Sequence, residues 1–205
     1  MYSAVTQNLI GGLLQPRASA RRMLDLGYGM REVMLLILLG YVIGAIFNIL
    51  LPMVSGYGGA GLLHLFGLLN WSVMVLVMAW LAWIPPRMFG GKGSWEEALR
   101  ATAWLSVLMN LIWPLMLIAF RILPEGSLLE AIESGDMLAL ATIVERLTPG
   151  DRTFFQILIY TYFFASFWLF ASFVAEVHQF RKTWLVFLTM LGLIFGPFLF
   201  LGMAG

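Results

Sequence analysis

Five long stretches of this chain contain no Asp, Glu, Lys or Arg: residues 33–51, 62–84, 101–120, 153–175 and 183–203. A bilayer core about 30 Å thick takes about 20 mostly apolar residues per helix, and each stretch has that length. A charged residue at the centre of a span would cost about 2.5–3.5 kcal/mol, so the gaps between charges outline the spans. Membrane strands would instead show alternating segments of about 10 residues, and none is present. The fourth stretch is apolar on every side, as a membrane helix is. The pattern predicts an all-α polytopic bundle of five transmembrane helices in one domain, 1–205. The first stretch exceeds the 7–15-residue core of a cleaved signal peptide, so it reads as a retained span.

The remaining segments are read from local signals. In the leader, 1–32, Val5, Leu9, Ile10, Leu13 and Leu14 share one helical face, and Pro16 restarts the helix. With Arg17, Arg21 and Arg22 alongside, the leader reads as an interfacial helix on an anionic leaflet. These three arginines are the candidate lipid or partner contacts. The simpler reading is a flank that only fixes topology. In 85–100, Ser94 and Glu97 form a capping box that starts the third helix before it enters lipid. In 121–152, Ser127 with Glu130 makes another box. Asp136 caps an amphipathic helix over 137–147, which Thr148-Pro149-Gly150 ends. Six of the eleven acidic residues fall in this connection, making it an acidic, water-facing helical loop.

Charge placement orients the bundle. Nine of twelve Lys and Arg residues lie in the leader, 85–100 and 176–182. The positive-inside rule then puts the N-terminus in the cytoplasm and the C-terminus outside.

Composition narrows the function classes. Of 205 residues, 61% are hydrophobic and 11% charged, against about 25% charged in soluble domains. There is no cysteine and the net charge is +1, which removes thiolate metal and disulfide chemistry and gives no pull toward nucleic acid. No nucleophile–base–orienter set is visible, and the two histidines, His64 and His178, fall at opposite membrane faces. The expectation is no enzyme, no metal and no cofactor.

Uncharged polar residues inside the stretches seek partners within the bundle. Asn48, His64, Asn70, Ser106 and Asn110 are such residues. Pro114 cannot donate to the carbonyl of Asn110, so a kink falls there, and the Asn110 side chain could help satisfy the opened backbone. Asn70, Asn110 and Pro114 mark a candidate polar path at mid-membrane. Glu176, at the end of the fourth stretch, could pair with Lys92 or Arg100 in a cytoplasmic clasp. In the last stretch, Gly192, Gly196 and Pro197 permit close packing or a bend.

Three motifs are similar to those of a known family. Gln15-Pro16-Arg17-Ala18 with Arg21 looks like its opening. Gly90-Gly91-Lys92-Gly93-Ser94-Trp95 with Leu99, Arg100 and Ala101, then Pro114, looks like its glycine-rich turn into helix three. Trp168 through Glu176-Val177-His178, then Arg181 and Trp184, is similar to its link between helices four and five. The chain thus resembles the YIP (Ypt-interacting protein) domain family, in its bacterial branch. The resemblance implies five membrane helices with a cytoplasmic N-terminus. Its eukaryotic members act in vesicle trafficking and bind small GTPases of the Rab class.

Two functions are consistent with these features. The first is an accessory or organising subunit of a bacterial inner membrane. It would bind anionic lipid at the leader, other membrane proteins or a second copy of itself. The alternative is a small transporter or channel component using the polar path.

Overall fold

The computed structural model describes residues 9–55, 62–123 and 142–192, and the side chains of 48–55 and 62–66 are not among them. Four helical spans are long and apolar enough to cross a membrane, and among the described residues there is no strand. The helices are α1 (Pro16–Asp25), α2 (Met30–Ser55), α3 (Leu62–Met88), α4 (Trp95–Ile112), α5 (Pro114–Phe120) and α6 (Pro149–Val177). A shorter apolar helix, α7 (Thr183–Gly192), covers the described part of the fifth stretch. The rest of that stretch, Val5, the side chains of Asn48 and His64, the Ser127–Glu130 box and Asp136 lie outside the described residues.

Helix α4 is the centre of the bundle. More than half of the α4–α5 span is buried, against a third or less of the other spans. Leu105, Val107 and Leu108 of α4 pack with Phe170, Phe173 and Val174 of α6. By contrast, α2 and α3 bury one face and leave Met34, Leu35, Leu38, Leu69, Val73 and Val77 exposed. In a bilayer those faces meet acyl chains, which are as apolar as leucine.

Two glycines bring α2 against α4. A Cβ on Gly40 would stand 2.8 Å from Ser106 Oγ, and one on Gly44 would overlap the Asn110 amide. Gly40 and Gly44 are four apart, a spacing that lets helix backbones approach closely.

Proline and capping chemistry set most of the helix ends. Residues 9–14 are helical, the chain bends at Gln15, and α1 starts at Pro16. The missing N–H costs nothing there, because a first-turn N–H has no helical partner. The Ser94 box is present: Ser94 N–H donates to Glu97 Oε2 at 2.7 Å and Glu97 N–H to Ser94 Oγ at 3.2 Å. The break expected at Pro114 falls at Trp113, between α4 and α5.

One expected boundary changes, and another has a second role. Helix α3 continues through Pro85 and Pro86 to Met88, past the end of the apolar stretch at residue 84. Thr148-Pro149-Gly150, expected to stop a helix, follows one that covers 142–145 and ends before Thr148, and it also starts the next. Thr148 Oγ1 accepts from Asp151 N–H at 3.2 Å, and Pro149 opens α6. The same Thr-Pro pair fits a helix start, where an oxygen cap and a missing N–H both help.

The leader does not lie on an open surface. Ser19, Ala20 and Met23 of α1 are buried, and Trp104 Nε1–H donates to Ser19 Oγ at 2.8 Å. A Cβ on Gly12 would come within 2.9 Å of both Leu108 methyl carbons. The apolar face expected to enter lipid therefore packs partly on α4, while Ile10 and Leu14 stay exposed.

Candidate functional site

Helix α6 ends among the leader, the α3–α4 turn and the start of α7. Its last side chains tie these segments together. Glu176 is buried and accepts from two arginines of α1. Arg17 Nε lies 3.1 Å from Oε2, and Arg21 Nε lies 2.6 Å from Oε1. Arg17 also reaches past the end of α6. It donates to the carbonyls of Phe180 and Arg181 at 3.0 and 3.2 Å. One guanidinium thus binds a carboxylate and two backbone oxygens, which suits its rigid, five-donor fork.

His178, two residues on, faces the other side. It is 2% exposed, yet both ring nitrogens are bonded. Gly93 N–H donates to Nδ1 at 3.2 Å, so the proton sits on Nε2, which is 2.8 Å from the Ala82 carbonyl. That carbonyl needs a donor because residue 86 is proline and has no N–H to close the helical bond. Burial pushes the imidazole below its ordinary value, and the Arg87 charge adds to this. The Ala82 bond and the Glu97 charge oppose the shift, but burial outweighs them. The neutral ring is also the form that both bonds require. Glycine is necessary opposite it: a Cβ on Gly91 would meet Pro86 O at 2.8 Å, and one on Gly93 would meet Val177 O at 2.8 Å.

A second polar region lies deeper. Asn110 is ten residues beyond Arg100, or about 15 Å along α4, the middle of a core about 30 Å thick. It lines a cavity of about 570 Å³ together with Asn70, Tyr41, Ser106 and Trp71. Asn110 Nδ2 donates to Ser106 O at 2.9 Å. Trp71 Nε1 is buried without a hydrogen-bond partner.

A Yip1 domain family model matches residues 10–204. The chain belongs to the Yip1 domain family. The match takes in the leader from residue 10, so both halves of the Arg17–Glu176 tie belong to the Yip1 domain. Yip1 proteins are a non-catalytic membrane family. No curated protein and no solved structure matches the chain.

Within this Yip1 domain the expected site residues divide. Asn70 and Asn110 share the cavity wall. Pro114 breaks the helix, but the Asn110 side chain bonds one turn back, to Ser106, rather than repairing the carbonyl that Pro114 leaves open. The clasp exists around Glu176 with different partners. Lys92 is exposed without an ion pair among the described residues, and Arg100 pairs with Glu96 on its own helix at 3.4 Å. Positions two apart on a helix point to opposite sides. Since His178 takes the α3–α4 turn, Glu176 faces α1. Arg17 and Arg21, expected at lipid, are the clasp cations, and Arg22 is exposed. The bonds of His178 to Gly93 and Ala82, and the Ser19–Trp104 bond, lie outside the expected contacts. The signals were present: Pro86 opens the carbonyl at position 82, and Gly40 and Gly44 repeat at packing distance.

Proposed function

We propose that this Yip1 protein is a non-enzymatic organising subunit. It holds anionic lipid and partner membrane proteins, a second copy included, at its basic face. One observation carries the reading. At the clasp end, Glu176 and His178 are spent on internal bonds, to Arg17 and Arg21 and to Gly93 and Ala82. Meanwhile Arg22, Arg31, Arg87, Lys92, Arg181 and Lys182 are exposed without ion pairs among the described residues. Each such cation near an anionic leaflet contributes about 1 kcal/mol. The nine-to-three split of basic residues supports a cytoplasmic clasp end in a bacterial inner membrane, with the C-terminus outside.

Photo-cross-linkers at Arg22 and Lys92, activated in intact membranes, test the reading. Discrete adducts with membrane proteins, or with a second copy, are expected. Adducts with lipid and nothing else would sink the partner half of the proposal. A cysteine at Lys92 should react only with reagents that reach the cytoplasm; labelling from outside would invert the topology.

A second reading is favoured by the cavity, where two membrane amides and an unpartnered indole N–H line one space. Under it the protein conducts a small polar solute. Glycerol and urea release from proteoliposomes would then fall in Asn70→Leu and Asn110→Leu. Rates equal to protein-free vesicles would remove this reading for solutes of that class.

A further inference from the structure

A second, larger cavity of about 910 Å³ runs between α3, α6 and α7. It lies at the upper end of the range of about 300–1,000 Å³ for small-molecule sites. Its wall is almost wholly apolar, with Met78, Leu81, Phe170 and Leu185 along it. Helices α3 and α6 scarcely touch, so the groove is the space between them. Along α6 it extends from Tyr162 to Val174, about 18 Å of helix. Half of a bilayer core about 30 Å thick is about 15 Å. The groove is therefore one leaflet deep.

Its polar rim is of one sign. Arg181 and Lys182 line the end next to the clasp. Both are exposed, and neither makes an ion pair among the described residues. Their backbone is held from behind. Arg17 grips the carbonyls of Phe180 and Arg181, and Phe180, itself on the groove wall, stacks on His178 at 5.8 Å. Two exposed cations thus stand over an apolar slot at headgroup depth, on backbone that the clasp holds, with Lys182 Nζ 5.9 Å from the Trp184 ring centroid.

We propose that this groove holds one anionic phospholipid of the clasp-side leaflet. Its acyl chains lie along Met78, Leu81, Phe170 and Leu185, and its phosphate sits between Arg181 and Lys182. Charge complementarity and the one-leaflet depth together select this occupant. An apolar partner helix would leave the paired cations unmatched, and a free phosphate would leave the slot unfilled. The proposal rests on the organising reading and names the lipid that reading needs.

The test uses full-length protein in nanodiscs of equal phosphatidylglycerol and phosphatidylcholine, released into the gas phase for counting of retained lipid by native mass spectrometry. Wild type should retain phosphatidylglycerol about tenfold over phosphatidylcholine. The double variant Arg181→Gln, Lys182→Gln should bring the ratio near one. Both side chains are exposed, so its melting temperature should not move. Arg22→Gln with Lys92→Gln removes two cations of the same face away from the groove and should keep the preference. Thr189→Trp, on the groove wall, should lower retention of both lipids. Equal retention of the two lipids by wild type overturns the proposal. So does a preference that survives the double variant, or retention that the tryptophan leaves unchanged. A wild type that holds no lipid but still cross-links to proteins from Arg22 overturns the groove while the organising reading stands.

Discussion

At the clasp, side chains bond across 85 to 164 residues of sequence. Around the mid-bundle cavity they bond three or four residues back along their own helix, as Thr102 does to Ala98, Ser106 to Ala103 and Asn110 to Ser106. Both regions satisfy polar groups, which any low-dielectric site requires. Only the long bonds specify which segments are neighbours. The local ones make a polar residue tolerable in lipid and leave its surroundings open. The clasp is thus where the fold is fastened, and the cavity is where polar surface remains available.

Perturbations should therefore weigh unequally in the two places. The largest effect is expected for Gly93→Val, whose added atoms meet the Val177 carbonyl and displace the bond to His178. Overpacking of this kind costs about 3 kcal/mol, read as a fall in melting temperature of the detergent-purified protein. Glu176→Ala should follow at about 2 kcal/mol. Its arginines are partly hydrated, 35% and 68% exposed, which keeps the loss below that of a fully buried pair. Release of the leader should appear as new proteolysis between Pro16 and Asp25, and protection equal to wild type would refute the tie.

Acid is a gentler lever on the same region. The folded protein holds His178 below its ordinary value, so on acidification the unfolded chain takes up a proton first. Stability from this group is complete above about pH 7.5 and falls as pH drops through about 6.5. His178→Gln should remove that part of the slope; a slope unchanged in the variant would assign it elsewhere. Smallest of all, Asn110→Leu should change stability by about 1 kcal/mol or less, since its amide only repeats a bond of its own helix. A loss near that of Glu176→Ala would erase the distinction between the regions.

Much of this architecture is legible in the sequence because it follows from local rules. Charge-free length outlines the spans, the Ser94 box begins α4, Pro16 restarts the leader and Pro114 breaks the third span. What escapes is pairing over distance. Glu176 has cations available on either side, and only the rotation of α6 decides for Arg17 and Arg21 over Lys92 and Arg100. Thr148-Pro149 ends one helix and starts the next, and only the first role is legible before α6 is known. His178 looks idle when judged as a metal ligand. It acquires a role once the carbonyl opened by Pro86 lies opposite.

That opened carbonyl also bears on the order of assembly. Ala82 leaves the ribosome 96 residues before the imidazole that will cap it. Until α6 is inserted, the end of α3 depends on water at the membrane surface for its missing bond. A pair of prolines is tolerable at that depth because water reaches the open carbonyl, whereas deeper in the core only protein groups could satisfy it. The chain's last third thus carries the latch for its second membrane span. A truncated product keeps an exposed defect that the complete protein conceals, a mark by which unfinished copies differ from finished ones.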